Sequence, residues 1–383
     1  MNKHKISIIG RGTAGAVNAI QMVHYFPNSE IEWFYDPSTP PQAIGEGSTV
    51  GLPKMLQYIE MHYPDFEKIS ANIKTGIKKV NFGGSGDFHH DFPLSEIGMH
   101  FDAIKLQDYI REKLSSKLKL IPKKIITHDE IDSNYIIDCS GTPKTFENHH
   151  LMDSIPVNTG YVTHCYWDKP EFQYTLTIAR PYGWVFGIPL QNRCSIGYMF
   201  NSEVSTLEEV QEDVKEIFKQ YNLTPSQDTR VISFKNYYRK QNFTDRVAYN
   251  GNASFFLEPF EANATANVQS IGAILRKIIN GNMSPQQANL EYETLIKEVE
   301  REITIHYYAG SKFNTPFWKQ AKLKSLKPME ELLNDPKFIN VINGTKTPNG
   351  FIQEYAQWGT LGWHFNLKEL GILNEIGVKL KNK

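Results

Sequence analysis

Three glycines, a lysine, two glutamates and one aromatic strand carry the chemistry that this sequence offers. Gly10, Gly12 and Gly15 stand in the G-x-G-x-x-G spacing, directly after the apolar run "KISIIG" and at the mouth of the helical stretch "AVNAIQMVHYF". Each has a physical task. Gly10 allows a tight turn, Gly12 lets backbone approach a diphosphate, and Gly15 lets helix and strand pack closely. The helix start, with Thr13 and Ala14, supplies unpaired N–H groups and positive potential. Asp36 closes the next strand, "EIEWFYD", 21 residues after Gly15, where an acid can hold ribose hydroxyls. Strand, glycine turn, helix and acid together predict a dinucleotide site.

Which dinucleotide is bound depends on segments later in the chain. Flavoproteins of the glutathione-reductase type return with a strand, a tight turn and a helix whose N-terminus is aimed at the isoalloxazine ring, where positive potential stabilises the reduced anion. Here "RVAY" leads into Gly251, Asn252 and Ala253, and a helix begins near Ala264. Asn252 replaces the usual acid of that turn. The placement favours FAD over NAD.

The stretch "PYGWVFGIPL" puts Trp184, Phe186 and Ile188 two apart, hence on one face of an extended chain, before Pro189 ends regular pairing. Alternation in "NIKTGIKKV" sets Lys74 on a face with Asn72 and Gly76, opposite Ile73 and Ile77. Taken alone, a lysine belongs on a solvated surface and a strand aromatic in a core. Glu258 and Glu261 would share a face in a helix, but Pro259 between them favours a loop.

Composition excludes several classes. With 40% hydrophobic and 22% charged residues and a formal charge of −1, the 383-residue chain reads as globular, with no bias toward a nucleic-acid partner. The locally basic 113–124 reads as a helix tail running into a loop. No apolar run reaches a membrane span or a signal peptide, so a cytoplasmic protein is expected. Cys139, Cys165 and Cys194 lack disulfide or zinc spacing, and the doublets His89–His90 and His149–His150 read as loop histidines, so no metal is expected. "QYTLTIAR", "GWVFGIPL" and "CSIGYMF" alternate as antiparallel strands, with "QNR" as a turn, and Ser284–Pro285 opens a helix running to Gly310.

In sequence order, "GRGTAG", "GEGST" (45–49), "NIKTGIKKVNF", "HFDA" (100–103), "IDCSG" (137–141), "GWVFGIP", "FLEPFEA" (256–262) and "NTPFW" (314–318) resemble the blocks of the flavin-dependent tryptophan halogenases. The resemblance implies an α/β (α+β) fold: a glutathione-reductase-type, Rossmann-like FAD lobe (about 1–50, 99–145 and 245–282) interleaved with an antiparallel substrate lobe (51–98 and 146–244), then C-terminal helices (283–383). It implies FAD, used as FADH2 and bound by Gly10, Gly12, Thr13, Ala14, Gly15, Asp36, Gly45, Glu46, Gly251 and Asn252.

Reduced flavin from a separate reductase, with O2 and a halide (chloride, bromide or iodide), would give a flavin hydroperoxide and then hypohalous acid. Trp184, Phe186, Ile188 and Pro189 would wall the oxidant from direct contact with the substrate, Phe186 standing where the family has a second tryptophan. Lys74 matches the essential lysine that delivers halogen, and Glu261 the active-site glutamate, with Glu258 in support.

Two departures stand out. The family's Glu-Ser-Thr-Gly at the halide site reads Glu261-Ala262-Asn263-Ala264 here, and Ala264 cannot take glycine's positive-φ conformations cheaply. The interval from Thr75 to Met99 is only 25 residues, so "GGSGDFHHDFPLSEIG" is expected to be a mobile loop and not the family's lid. The substrate is then an electron-rich small aromatic or a carrier-bound one, and a homo-oligomer is compatible with the sequence. A flavin monooxygenase and a non-catalytic flavin-binding protein are the alternatives, with a nicotinamide dehydrogenase behind them.

Overall fold

The apolar run Lys5–Ile9 is the central strand of a five-stranded parallel sheet, which a computed structural model of the chain describes for residues 3–39, 46–84, 86–93, 96–346, 350 and 353–381. The order is Val247–Tyr249, Tyr135–Asp138, Lys5–Ile9, Glu30–Phe34, Lys119–Ile121, all parallel. Helices Thr13–Tyr25, Ala103–Leu114 and Ala264–Ile279 accompany it. Near-continuous apolar strands such as "KISII" suit a sheet covered on both faces. The fold is thus α/β with a Rossmann-like sheet. Lys119–Ile121 pairs with Glu32–Phe34, so the basic tail read as a loop in fact supplies an edge strand.

Backbone contacts divide the chain into two units. The first comprises Met1–Lys74, Glu96–Leu151 and Tyr237–Thr294; the second comprises Thr75–Ser95, Met152–Asn236 and Leu295–Lys383. Besides the parallel sheet, the first unit holds two three-stranded antiparallel sheets. One orders Glu46–Gly47, Gly98–Phe101, Asn72–Lys74, and the other His149–Leu151, Tyr237–Arg239, Phe255–Phe256.

The second unit is built on a seven-stranded sheet, ordered Thr224–Ser233, Thr159–Tyr166, Arg193–Phe200, Gly183–Pro189, Thr175–Arg180, Gly76–Phe82, Gly86–Asp91. Val185, Ile196 and Tyr198 form a core on one face with Val210, Val214 and Ile217 of helix Leu207–Gln220. Trp184, Phe186 and Ile188 alternate onto the other face. Helix Pro285–Ala309 starts where its capping signal predicts: Gln287 N–H donates to Ser284 Oγ at 3.2 Å and Ser284 N–H to Gln287 Oε1 at 3.0 Å.

Two expectations are corrected. Part of "GGSGDFHHDFPLSEIG" is a strand, Gly86–Asp91, which pairs antiparallel with Gly76–Phe82 and sets Phe88 opposite Lys79 and His90 opposite Ile77. Pairing with Gly76–Phe82 outweighs its glycines, and His90 packs edge-on against Trp358 at 5.0 Å. Neither histidine pair is in a loop, since His149 and His150 also lie on a strand. Among the described residues no group of three His, Cys, Asp or Glu is placed to hold a metal ion. None of their helices is long and apolar enough to cross a membrane.

The aromatic face depends on Gly197. It lies opposite Phe186, and a Cβ there would fall 2.1 Å from the Phe186 ring, so the ring rests directly on the glycine. Gly197→Ala is expected to displace that ring and cost about 1–3 kcal/mol. Chemical denaturation against the parent protein measures it.

Candidate functional site

In the first unit the glycine turn is built as its spacing requires. Gly10 has φ +101°, and a Cβ on it would lie 2.2 Å from the Cys139 carbonyl oxygen. A Cβ on Gly15 would lie 2.0 Å from the Gly10 carbonyl oxygen, so helix and strand approach as only glycine permits. Gly12 is the N-cap of helix Thr13–Tyr25, has no side chain to cap it, and faces open space. The first-turn N–H groups are left for an anion. Gly251, at φ +57°, brings its turn against this helix start, where a Cβ would lie 2.5 Å from Ala14 Cβ. Asn252 is exposed, its amide 3.5 Å from Thr142 Oγ1. These features fit the diphosphate of a dinucleotide.

Asp36 caps its own turn. Its Oδ1 accepts from Ser38 N and Oγ at 2.9 and 2.6 Å, and its Oδ2 from Thr39 Oγ1 at 3.0 Å. These Ser38 bonds hold its carboxyl well below the usual range. Lys124 Nζ also lies 3.3 Å from Oδ2, so the carboxylate's roughly four acceptor positions already have partners, and ribose would have to displace one of them. Gly45 lies outside the described residues. Glu46 is half-buried and accepts from Thr13 Oγ1 at 3.2 Å; burial, then the Asp102 carboxylate, push it up to about 7 against that hydrogen bond.

Lys74 is wholly buried at the end of strand Asn72–Lys74. The strand stops at Thr75, so Gly76, expected on the same face, belongs to the other sheet. His100 lies opposite Asn72, two pairs along from Lys74, which pairs with Gly98. Burial, aided by the Lys74 charge, holds His100 well below the ordinary imidazole range, so it stays neutral at physiological pH. His100 sits inside the "HFDA" block, where no motif marks it as functional; strand alternation is the one signal that points to it.

Glu258 and Glu261 are both buried, at the turn before helix Ala264–Ile279. Glu261 and Ala262 hold positive φ, 66° and 53°. The left-handed residues are therefore these two and not Ala264, which opens a regular helix. Asn263 is the N-cap, yet its amide donates to the Phe260 carbonyl at 3.3 Å and caps nothing. Thr265, in the first turn, is 5% exposed, and its hydroxyl has no hydrogen-bond partner among the described residues. No sequence signal marks Thr265, because its neighbours decide what its hydroxyl meets.

In the second unit Trp184, Phe186, Ile188 and Pro189 are all buried, with the Trp184 and Phe186 ring centroids 6.2 Å apart. Opposite them on Arg193–Phe200 stand Met199, Gly197, Ser195 and Cys194. Beyond Phe186 the same row continues through Thr177 to Lys79. Lys79 is fully buried, donates to Asn366 Oδ1 at 2.7 Å and lies 5.1 Å over the Trp358 ring.

A Rossmann-like unit with a glycine cradle, joined in sequence to a seven-stranded antiparallel-rich unit, is a dinucleotide-binding type of fold. The family model of the tryptophan halogenases matches residues 5–126 and 123–345, and the chain belongs to that family. It is 23% identical over 322 residues to tryptophan 7-halogenase RebH of Lentzea aerocolonigenes, a match covering 73% of this chain and 60% of that protein. The chain thus spans less than two thirds of that relative's length. BrvH, a flavin-dependent halogenase from Brevundimonas sp. BAL3, shares the fold at TM-score 0.77 and 17% identity, covering 98% of this chain and 92% of that one. Xcc4156, a flavin-dependent halogenase from Xanthomonas campestris, does so at TM-score 0.79 and 15% identity, covering 100% and 94%.

The cradle predicts opposite outcomes for two alanine substitutions. Gly12→Ala, entering open space, should leave the melting temperature unchanged and weaken FAD binding at least ~10-fold, the cost of a methyl group against the diphosphate. Gly15→Ala should lower the melting temperature by several degrees. Thermal unfolding with and without FAD separates them.

Proposed function

We propose that this chain is a flavin-dependent halogenase that halogenates an electron-rich arene, drawing reduced FAD from a separate reductase. The observation that carries the reading is Lys74, taken completely out of water on a strand beside a neutral His100. A surface lysine would be a solvated ammonium, a poor nucleophile; Lys74 is instead held out of bulk water, where an amine can be presented to a small electrophile.

Bound FAD would supply the two-electron oxidation of halide to hypohalous acid with O2. The other steps belong to the protein. The Lys74 amine nitrogen takes the electrophilic halogen from hypohalous acid, forming an N–halogen bond and releasing water. The arene then attacks that halogen; the N–halogen bond pair stays on nitrogen, which takes a proton from the Glu261 carboxyl and leaves as the neutral amine as the carbon–halogen bond forms. Glu261 accepts the proton lost from the ring carbon, and Glu258 supports it through the shared turn.

For the halide, the start of helix Ala264–Ile279 offers N–H groups that Asn263 leaves uncapped, together with the Thr265 hydroxyl. Thr265 supplies a hydroxyl close to where Asn263 and Ala264 replace the family's Thr-Gly.

The test is incubation with FAD, a flavin reductase, NADH and mixed halides over a panel of indoles and phenols, with products resolved by mass. Halogenated product is expected, and Lys74→Ala should lower its rate by at least ~10³-fold, about 4 kcal/mol, while retaining FAD. Oxygen insertion that ignores halide would show a monooxygenase instead, and full activity without Lys74 would end the proposal. Thr265→Val should raise the halide concentration for half-maximal rate about tenfold, the worth of one hydrogen bond to an ion.

A further inference from the structure

We propose that Glu46 binds the flavin as a neutral acid, taking up a proton as the cofactor's diphosphate arrives at the start of helix Thr13–Tyr25. The inference rests on the reading that this chain binds FAD.

The geometry is a directed chain. Gln107 Nε2, on helix Ala103–Leu114, donates to Thr13 Oγ1 at 3.2 Å, and the Thr13 hydroxyl donates to Glu46 Oε1 at 3.2 Å. An amide N–H can only donate, and a hydroxyl has one proton to give. With Gln107 donating to its oxygen, Thr13 therefore directs its proton at the carboxyl of Glu46 and away from any other acceptor. Thr13 is the first residue of the helix whose cap, Gly12, leaves the N–H groups open. The carboxyl of Glu46 thus lies beside the position where a dinucleotide places its diphosphate.

An ionised Glu46 and a diphosphate would put two anions at one helix end, partly screened from water, where like charges raise each other's proton affinity. The surrounding groups do not relieve this. Strand Glu46–Gly47 pairs with Gly98–Phe101, where His100, opposite Gly47, is held neutral. On helix Ala103–Leu114, Asp102 is the N-cap, accepting from the Ile104 and Lys105 N–H groups, and its charge adds to the repulsion. Lys105 is directed to Ser70 Oγ at 2.7 Å. The guanidinium groups of Arg11 and Arg111 lie over the Tyr35 ring, at 5.9 and 5.8 Å.

Glu46 already holds its proton to about 7 in the chain alone. Little added repulsion keeps it protonated in the complex, and the carboxyl then presents an O–H where a charge would otherwise stand. Linkage sets the sign. Below its own pKa Glu46 is protonated before and after binding, and affinity is independent of pH. Above it, each molecule of FAD bound must bring a proton, and Kd rises about tenfold per pH unit.

The experiment is titration of the purified chain with FAD, followed by flavin fluorescence, between pH 6 and pH 8. Binding should be about tenfold weaker at pH 8 than at pH 6. Glu46→Gln, a neutral isostere, should bind with the same affinity at both pH values, close to the parent's at pH 6. Calorimetry of the parent protein at pH 8, in buffers of different ionisation heat, should register uptake of roughly one proton per FAD, a readout that requires no variant. A flat parent profile, no proton uptake, or an unchanged slope in Glu46→Gln would overturn the inference while leaving the flavin assignment intact. Failure to bind FAD at any pH would remove the flavin assignment itself, and this inference with it.

Discussion

An amine held entirely out of water sets the terms for the rest of the first unit. Removing an ammonium from water costs several kcal/mol unless the surroundings answer it. The chain fixes Lys74 on a short strand, so that its position is held by backbone pairing and not by its own flexible stem. The partner strand, Gly98–Phe101, carries His100 on one side and leads straight into Asp102, the cap of the next helix. Its other edge pairs with Glu46–Gly47. One four-residue strand therefore ties the amine proposed to handle halogen to the carboxyl beside the cofactor cradle.

The helices that begin at Thr13 and at Ala264 both lack a side-chain cap, by different devices. At Thr13 the cap is a glycine with no side chain to offer. At Ala264 the cap is Asn263, whose amide is turned back to Phe260. The approach to the second start is strained, since left-handed backbone at Glu261 and Ala262 costs roughly 1–2 kcal/mol per residue. Strain of that kind persists only where surrounding structure holds it, and it concentrates at functional turns. In this chain it sets the orientation of Glu261.

Much of the fold was legible along the chain. The G-x-G-x-x-G turn, the three alternating strands ending in "CSIGYMF" and the capped helix from Ser284 all follow from local rules: glycine conformations, side-chain period and end-capping. The strand Gly86–Asp91 was not legible, because its glycines suggested a loop and only pairing with Gly76–Phe82 makes it a strand. Lys119–Ile121 was missed for the same reason: three residues become a strand through their neighbour.

The candidate site divides along the same line. Sequence by itself supplied the candidates for chemistry: the glycine cradle through residue type and spacing, and Lys74, Glu261 and the aromatic run at Trp184 through resemblance to the family's blocks. Tertiary structure decided their physical state. Lys74 and Lys79 are buried, His100 is neutral, Glu46 holds its proton to about 7, and the left-handed backbone falls at Glu261 and Ala262. Charge state and strain are set by what surrounds a group in three dimensions, and those neighbours, such as Gln107 for Thr13, are far away in the chain.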